Sequence, residues 1–306
     1  MLAILSPVFE PGFFSSSPVH GALIVGGVVA VVSATVGVFT VVRAQSFAGH
    51  AFSDIGTAGG SAAFLVGVPT LYGFVVFNVV AAGVMELIGI RKARGRDLAT
   101  GIILGAALGL AALFLYEDTI SSSTTGATIN VLFGSIFTLP PSTAPLVAVL
   151  GAVSILGVAI LYRPLLLTSV NYDLAAARGV RVRLVGAAYL VILALAVSLS
   201  AVTIGAILST ALLIGPAAVA LRLTNRTGVA IAVAAALGIV SCWVGVLVAY
   251  DSPQWVPGPG WPVSFCIVAV IFLLYVASSV TARIRPRRPG RVADRHPVQG
   301  VLGGRA

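Results

Sequence analysis

The chain has 306 residues, of which 58% are hydrophobic and only 9% are charged, and its formal net charge is +9. An ordinary soluble domain has roughly 45–50% apolar and about 25% charged residues, so this composition excludes a soluble globular protein and indicates a polytopic membrane protein. A basic chain can bind nucleic acid. Here, however, the basic residues lie between apolar segments, which is typical of a membrane topology signal and excludes nucleic acid as a partner.

Nine segments are predicted as transmembrane helices, since about 20 residues are needed to cross ~30 Å of hydrocarbon. In chain order they occupy residues 21–42, 44–68, 70–90, 98–116, 143–162, two spans within 184–221, 228–250 and 263–282. The block 184–221 is too long for one crossing, and we expect its turn near residues 198–203. The predicted fold class is therefore all-α.

The basic residues predict which side of the membrane each end of the chain occupies. Cytoplasmic loops collect Lys and Arg, and all 18 basic residues follow the first, third, fifth, seventh or ninth predicted span. The loops on the other side, including 117–142 and 251–262, contain none. We therefore expect a multi-pass protein of the cell membrane with its N-terminus outside and its C-terminus inside.

This topology divides the chain into three parts. Residues 1–20 form an external N-terminal segment, and residues 21–282 form the transmembrane domain. Residues 283–306 form a basic cytoplasmic tail, and its content of Pro and Gly predicts disorder. The bilayer is thus an expected partner of most of the chain.

Two segments between the spans are predicted to carry structure of their own. The apolar run 129–139 is too short to cross and predicts a re-entrant or interfacial helix on the external side. On the cytoplasmic side, Pro164 is expected to break the fifth span, Asp173 to cap a short helix and Gly179 to end it. This short helix is either a docking element for a partner protein or a solvated connection.

Three ionisable side chains lie inside the predicted spans: His50, Asp54 and Glu86. A charge in the bilayer centre costs about 2.5–3.5 kcal/mol on insertion scales, so such residues usually face a polar interior. Because residues four apart share a helix face, an imidazole nitrogen and a carboxylate oxygen can converge as half of a Zn²⁺ or Mn²⁺ site. The alternative is a hydrogen-bonded pair that neutralises itself. Glu86 is a candidate for the same pathway, or it extends toward Arg91 or Lys92.

The sequence also lacks several catalytic motifs. No G-x-x-x-x-G-K-[ST] is present, so the chain is not expected to bind ATP through a phosphate-binding loop. No H-E-x-x-H and no arrangement of a nucleophile with His and Asp occurs either, which argues against an intramembrane hydrolase. We therefore predict a transport subunit rather than an enzyme.

Five stretches of the sequence resemble, in order, the membrane subunit of the ABC transporters that import zinc, manganese or iron. They are VVRAQSFAGHAFSDIGTAGGSAAFLVG (41–67), DLATGIILGAALGL (97–110), NVLFGSIFTL (130–139), NYDLAAARGVRV (171–182) and IGAILSTALLIGPAAVALRLTNR (204–226). The resemblance covers about 41–280. It departs from the family in one respect, because the family pattern has Asp first and His four residues later, whereas here His50 precedes Asp54. The Pro expected shortly after this pair is replaced by Ala58.

The resemblance implies a permease subunit that pairs with a second copy or a close homologue around a central path. It further implies a separate pair of cytoplasmic ATP-binding subunits, contacted by the segment with Asp173, Arg178 and Gly179, and an external metal-binding lipoprotein. His50 and Asp54 would hold the transported divalent metal ion, and no cofactor is expected to be permanently bound. Two alternatives stay open: a permease for an iron chelate, and a proton-coupled carrier that uses Asp54 and Glu86 as relays.

The predicted orientation can be tested with reporter fusions at Ser16 and after Ala282. We expect the first fusion to report the external side and the second the cytoplasmic side, because all basic loops fall on one face. The measurement is the activity of a side-specific reporter in intact cells. Two fusions that report the same side would contradict the nine-span topology.

Overall fold

The computed structural model describes residues 13–88, 93–122, 126–134, 136, 137, 139, 143–255 and 260–284. These residues form helices and no strands, which confirms the all-α prediction. The helices are α1 Ser17–Val42, α2 Ser46–Leu65, α3 Thr70–Ile88, α4 Ala93–Ser122, α5 Gly126–Phe133, α6 Ala144–Val170, α7 Tyr172–Ala177, α8 Val182–Ile204, α9 Ala206–Leu223, α10 Thr227–Asp251 and α11 Val263–Ile284. The predicted disorder of the tail concerns residues beyond Ile284, which lie outside the described part of the chain, as do most residues of the external segment 1–20.

The long helices match the predicted transmembrane spans. Within the described residues, eight helices are long and apolar enough to cross a membrane: α1, α3, α4, α6, α8, α9, α10 and α11. The remaining predicted span, the second in the chain (44–68), corresponds to α2, whose 20 residues extend about 30 Å. That length equals the hydrocarbon thickness, but α2 is rich in small and polar residues. The chain is thus a polytopic helical membrane protein.

Two expectations about local breaks were wrong. The turn between α8 and α9 lies at Gly205, just beyond the predicted 198–203, and Gly205 has φ 89°. A residue with a Cβ rarely adopts that backbone conformation, so the helix continues until it reaches a glycine. Pro164 does not end α6, which continues to Val170. Proline is tolerated inside transmembrane helices when neighbouring helices support the freed carbonyl group, and α6 packs against α1 and α8.

Helices α1, α2 and α8 form the centre of the protein. Their buried side chains include the large residues Phe39, Phe52 and Tyr189, none of which is exposed. Helix α1 packs against α6, α8, α9 and α10, while α2 packs against α3, α4, α8 and α9. The outer helices present apolar side chains such as Leu113 and Ile160 to their surroundings, which is the expected pattern for a surface that faces lipid.

Backbones approach closely where α2 meets α3. A Cβ atom on Gly59 would lie 2.2 Å from the carbonyl oxygen of Gly73, and a Cβ atom on Gly73 would lie 1.9 Å from that of Gly59. Small residues at transmembrane helix interfaces permit such contact. The absence of side chains at these two positions therefore sets the distance between α2 and α3.

The short helix α5 packs on the turn between α8 and α9. It covers part of the run predicted as a re-entrant or interfacial helix, and its eight residues are too few to cross a bilayer. It ends at Gly134, where a Cβ atom would lie 2.5 Å from the backbone nitrogen of Gly205. A Cβ atom on Gly205 would lie 2.2 Å from the carbonyl oxygen of Leu132. The end of α5 and this turn thus meet backbone to backbone.

We expect Gly73→Ala to destabilise the protein, because its methyl group must overlap backbone atoms of α2, and overpacking typically costs about 1–3 kcal/mol. The matched control is Gly83→Ala in the same helix, since no atom lies within 4 Å of a Cβ placed there. Thermal unfolding of the detergent-solubilised protein measures both. Equal midpoints for the two variants would contradict the close contact between α2 and α3.

Candidate functional site

Helix α2 brings His50 and Asp54 onto one face, one turn apart. His50 Nε2 lies 3.6 Å from Asp54 Oδ2. The His50 side chain is 53% exposed and that of Asp54 is 18% exposed. A separation of 3.6 Å is too long for a hydrogen bond, so the prediction that the two groups share a face is confirmed while a direct hydrogen bond between them is not observed.

A hydroxyl pair positions this part of α2 against α9. Ser53, the residue before Asp54, donates a hydrogen bond to the carbonyl of Ala206, and its Oγ lies 2.7 Å from Ser209 Oγ. Ser53 is fully buried. It lies about 11 Å along the helix axis from Ser46. The start of α9 therefore meets α2 partway along its length, at the level of Asp54.

The pair supplies two potential metal ligands. Across the described residues, no three His, Cys, Asp or Glu side chains are grouped closely enough to hold one metal ion. His50 and Phe47, one turn before it, are both about half exposed. The side of α2 that carries the imidazole is therefore not covered by the described part of the chain, and additional ligands can reach it from outside.

Glu86 lies apart from the pair, at the end of α3. Its Oε1 accepts a hydrogen bond of 2.8 Å from Arg183 Nε of α8, and these side chains form an ion pair. Because Gly59 packs on Gly73 in the antiparallel pair of α2 and α3, this register puts Glu86 level with the start of α2. The expected partners Arg91 and Lys92 lie outside the described residues.

The short helix predicted near Asp173 is α7, and its ends are well defined. Its N-cap is Asn171, whose side chain accepts a hydrogen bond of 2.9 Å from Leu174 N. Asp173 lies in the first turn instead, where the negative charge of its carboxylate interacts favourably with the helix dipole. Gly179 has φ 79° and ends the helix as predicted. Asn171 and not Asp173 is therefore the cap.

The C-terminus of α7 is a Schellman motif. Gly179 N donates to Ala176 O at 3.0 Å and Val180 N donates to Ala175 O at 3.1 Å, which is the pair of bonds that defines the motif. The Ala175 side chain is buried, whereas Arg178 at the C-cap is exposed. Helix α7 thus presents most of its side chains outward while one small residue anchors it to the protein.

Sequence reasoning missed the residues that join these elements. Ser53 and Ser209 come from helices far apart in the chain, and the sequence indicates a topology role for Arg183 but not its pairing with Glu86. Such contacts have no local pattern. The one available signal is that a hydroxyl or guanidinium group near an apolar segment needs a partner, which does not identify the partner.

Comparison with known proteins gives a consistent result. The model of the family described as "ABC 3 transport family" matches residues 17–282. The manganese import system permease protein ScaB of Streptococcus parasanguinis is 29% identical over 232 residues, which cover 76% of this chain and 81% of that protein. The zinc transport system membrane protein TroC of Treponema pallidum is 30% identical over 233 residues, which cover 74% and 78%.

The fold also resembles a solved structure. PsaBC from Streptococcus pneumoniae in complex with Fab contains a chain that matches with a TM-score of 0.75 and 26% sequence identity. The match covers 91% of this chain and 95% of that chain. The similarity therefore extends over nearly the whole helical arrangement and is not confined to one motif.

Proposed function

Since the chain belongs to the ABC 3 transport family, we propose that it is the transmembrane permease subunit of an ATP-driven importer of divalent transition-metal ions, with Mn²⁺ or Zn²⁺ as cargo. The relatives named for manganese import and zinc transport support this cargo class. Within the chain, the proposal rests on the His50 and Asp54 pair. Both side chains are costly to place in a bilayer, yet they lie on one face of a helix of small residues. Transport of a cation explains why they are there.

The distance between the two side chains suits a shared ion. Zn²⁺ binds imidazole nitrogen at about 2.0–2.1 Å and carboxylate oxygen at about 2.0–2.2 Å, so two ligands at a tetrahedral angle lie about 3.4 Å apart. His50 Nε2 and Asp54 Oδ2 are 3.6 Å apart. An ion can therefore bridge the pair with little change in side-chain position. A mixed nitrogen and oxygen set also suits borderline cations rather than Ca²⁺ or Mg²⁺.

A second copy of the permease completes the site in this proposal. One chain supplies two ligands, and the exposed imidazole lies on a side of α2 that its own helices do not cover. Two copies, or one copy and a close homologue, would bring two nitrogens and two oxygens to a central path. Four ligands satisfy a tetrahedral ion, but the exposed position allows the ion to exchange ligands with water and leave.

The energy for transport comes from other subunits. The sequence has no phosphate-binding loop, so we assign ATP hydrolysis to a separate cytoplasmic pair that contacts α7 at Asp173, Arg178 and Gly179. An external metal-binding lipoprotein delivers the ion from the other side. The metal is cargo in this scheme, and the chain retains no permanent cofactor.

The alternatives make different demands on the same residues. An iron chelate needs a wider path and no ligand pair, and a proton-coupled carrier needs Asp54 and Glu86 as relays. Glu86 forms an ion pair with Arg183, so no observation favours it as a relay. Transport that continues after ATP depletion at constant membrane potential would favour the carrier.

We expect His50→Ala and Asp54→Ala to abolish Mn²⁺ and Zn²⁺ uptake while the protein still inserts in the membrane. Each change removes one ligand, and a site of two ligands per chain does not function with one. The measurement is uptake of radioactive metal by cells that express the full transporter. Normal uptake by both variants would mean that the pair has a structural role and that the path lies elsewhere.

Two further variants separate ligand loss from loss of packing. Ser61→Ala is the matched control, because this buried hydroxyl donates only within α2, to Thr57 O, and we expect normal uptake. The double exchange His50→Asp with Asp54→His keeps the same ligand types on the same face, so we expect it to retain substantial uptake. Loss of uptake in the double exchange together with Ser61→Ala would point to packing instead.

The contact between α7 and an ATP-binding subunit gives another test. Gly179→Val should reduce the metal-stimulated rate of ATP hydrolysis, because valine is strained at φ 79° and adds bulk beside the exposed Arg178. Gly186→Val is the control, since this glycine of α8 also has no atom within 4 Å of its Cβ position. The assay uses the purified complex in liposomes. An unchanged stimulated rate for Gly179→Val would exclude α7 as the contact.

A further inference from the structure

Arg43 lies where the ends of three helices meet. It is the C-cap residue of α1. Its Nη1 donates a hydrogen bond of 2.7 Å to Thr168 Oγ1 near the end of α6, and its guanidinium carbon lies 5.2 Å from the ring centroid of Tyr189 in α8. That distance is within the range of a cation–π interaction. One side chain thus joins α1, α6 and α8.

The α8 part of this contact is rigid. Tyr189 is fully buried, and its hydroxyl donates to Val36 O at 3.0 Å and lies 2.8 Å from Thr40 Oγ1. Both partners belong to the last turns of α1. The aromatic ring beneath Arg43 is therefore fixed to α1 and α8, whereas the hydrogen bond to Thr168 links Arg43 to α6.

Through its hydrogen bond to Thr168, Arg43 is connected to α7. Thr168 is three residues before Asn171, the N-cap of α7, and α6 and α7 pack against each other. A displacement of α7 by a bound subunit therefore acts on the end of α6. The hydrogen bond from Arg43 to Thr168 connects that end to α1.

Along the backbone, Arg43 is connected to the candidate metal ligands of α2. Only residues 43–45 separate α1 from α2, and two backbone bonds close this connection: Ala44 N to Val41 O at 3.1 Å and Gln45 N to Thr40 O at 2.8 Å. They form a Schellman motif. His50 follows within the first two turns of α2, so the two helices are joined by a short and fully bonded turn.

This turn is also strained. Its left-handed position is occupied by Ala44, with φ 53°, whereas the corresponding positions after α2 and α7 are Gly67 and Gly179. Among the described residues, Ala44 is the one non-glycine residue with positive φ. Residues held in sparsely populated backbone regions persist where the surrounding structure holds them in place, and they concentrate in switch regions.

We propose that Arg43 is a positioning residue that transmits movement of α7 to α2 and thereby to His50 and Asp54, with Thr168 as its contact on α6. The inference rests on the proposed function. It assigns Arg43 a role beyond its positive charge, which also serves membrane orientation. The chemistry that matters is the directed hydrogen bond to Thr168 together with the cation–π contact with Tyr189, which the single ammonium group of lysine cannot reproduce in the same geometry.

The test uses the complete transporter in liposomes, with permease copies, ATP-binding subunits and the external lipoprotein, and with Mn²⁺ as the probe. Mn²⁺ uptake and ATP hydrolysis are measured in the same sample, which gives the number of ions imported per ATP. We expect Thr168→Val to lower this ratio roughly tenfold, the effect of losing one hydrogen bond to a charged group, while ATP hydrolysis and Mn²⁺ affinity stay at wild-type values. Arg43→Lys should lower the same ratio without changing membrane orientation.

Two variants next to the contact serve as controls. Ser169→Ala removes a neighbouring hydroxyl that, like that of Thr168, donates to Leu165 O, and we expect the wild-type ratio. Thr168→Ser keeps the acceptor for Arg43 and should also retain the ratio. A wild-type ratio in Thr168→Val, or a lower yield of assembled complex for Thr168→Val than for Ser169→Ala, would overturn the proposal. Failure of the wild-type complex to import both Mn²⁺ and Zn²⁺ would instead overturn the proposed function itself, and a complex that imports only Zn²⁺ would be tested with Zn²⁺ as the probe.

Discussion

Helix α2 is too polar to face lipid, and this constraint determines how the other helices are arranged. A polar group in hydrocarbon without a partner is costly, and α2 carries Ser53, Thr57 and Ser61 in addition to its two ionisable residues. Helices α3, α4, α8 and α9 therefore enclose it, and its hydroxyls bond to α9 or to its own carbonyls. Among the residues that the structure describes, none covers the side of α2 with Phe47 and His50. The surrounding helices thus stabilise a polar helix in the bilayer and leave one of its sides accessible.

The features that the sequence predicted correctly are those that depend on local properties. The long helices follow from apolar length alone, because a bilayer of fixed thickness requires about 20 residues per crossing. The meeting of His50 and Asp54 follows from helix periodicity, which needs no information from the rest of the fold. The end of α7 at Gly179 is also local, since the left-handed position of the cap favours glycine.

The features that the sequence did not predict depend on contacts between distant segments. The turn expected near residues 198–203 is absent because these residues lie within α8, where Asn78 donates to Ser198 Oγ at 3.0 Å and Ser200 Oγ lies 2.6 Å from Ser33 Oγ. Hydroxyls in a membrane helix therefore indicate partners as readily as turns. The bond from Arg43 to Thr168 joins residues 125 positions apart, and no local pattern specifies it.

The backbone contact between Gly134 and Gly205 imposes an order on the assembly of the protein in the membrane. Gly134 precedes Gly205 by 71 residues in the chain, so helix α5 is synthesised well before the turn on which it rests. Because α5 is too short to span the bilayer, it has no stable transmembrane position of its own until α8 and α9 have inserted. Eight residues are also too few for a stable isolated helix, so during biosynthesis this segment can take its final place only after the residues that follow Gly205 have left the ribosome.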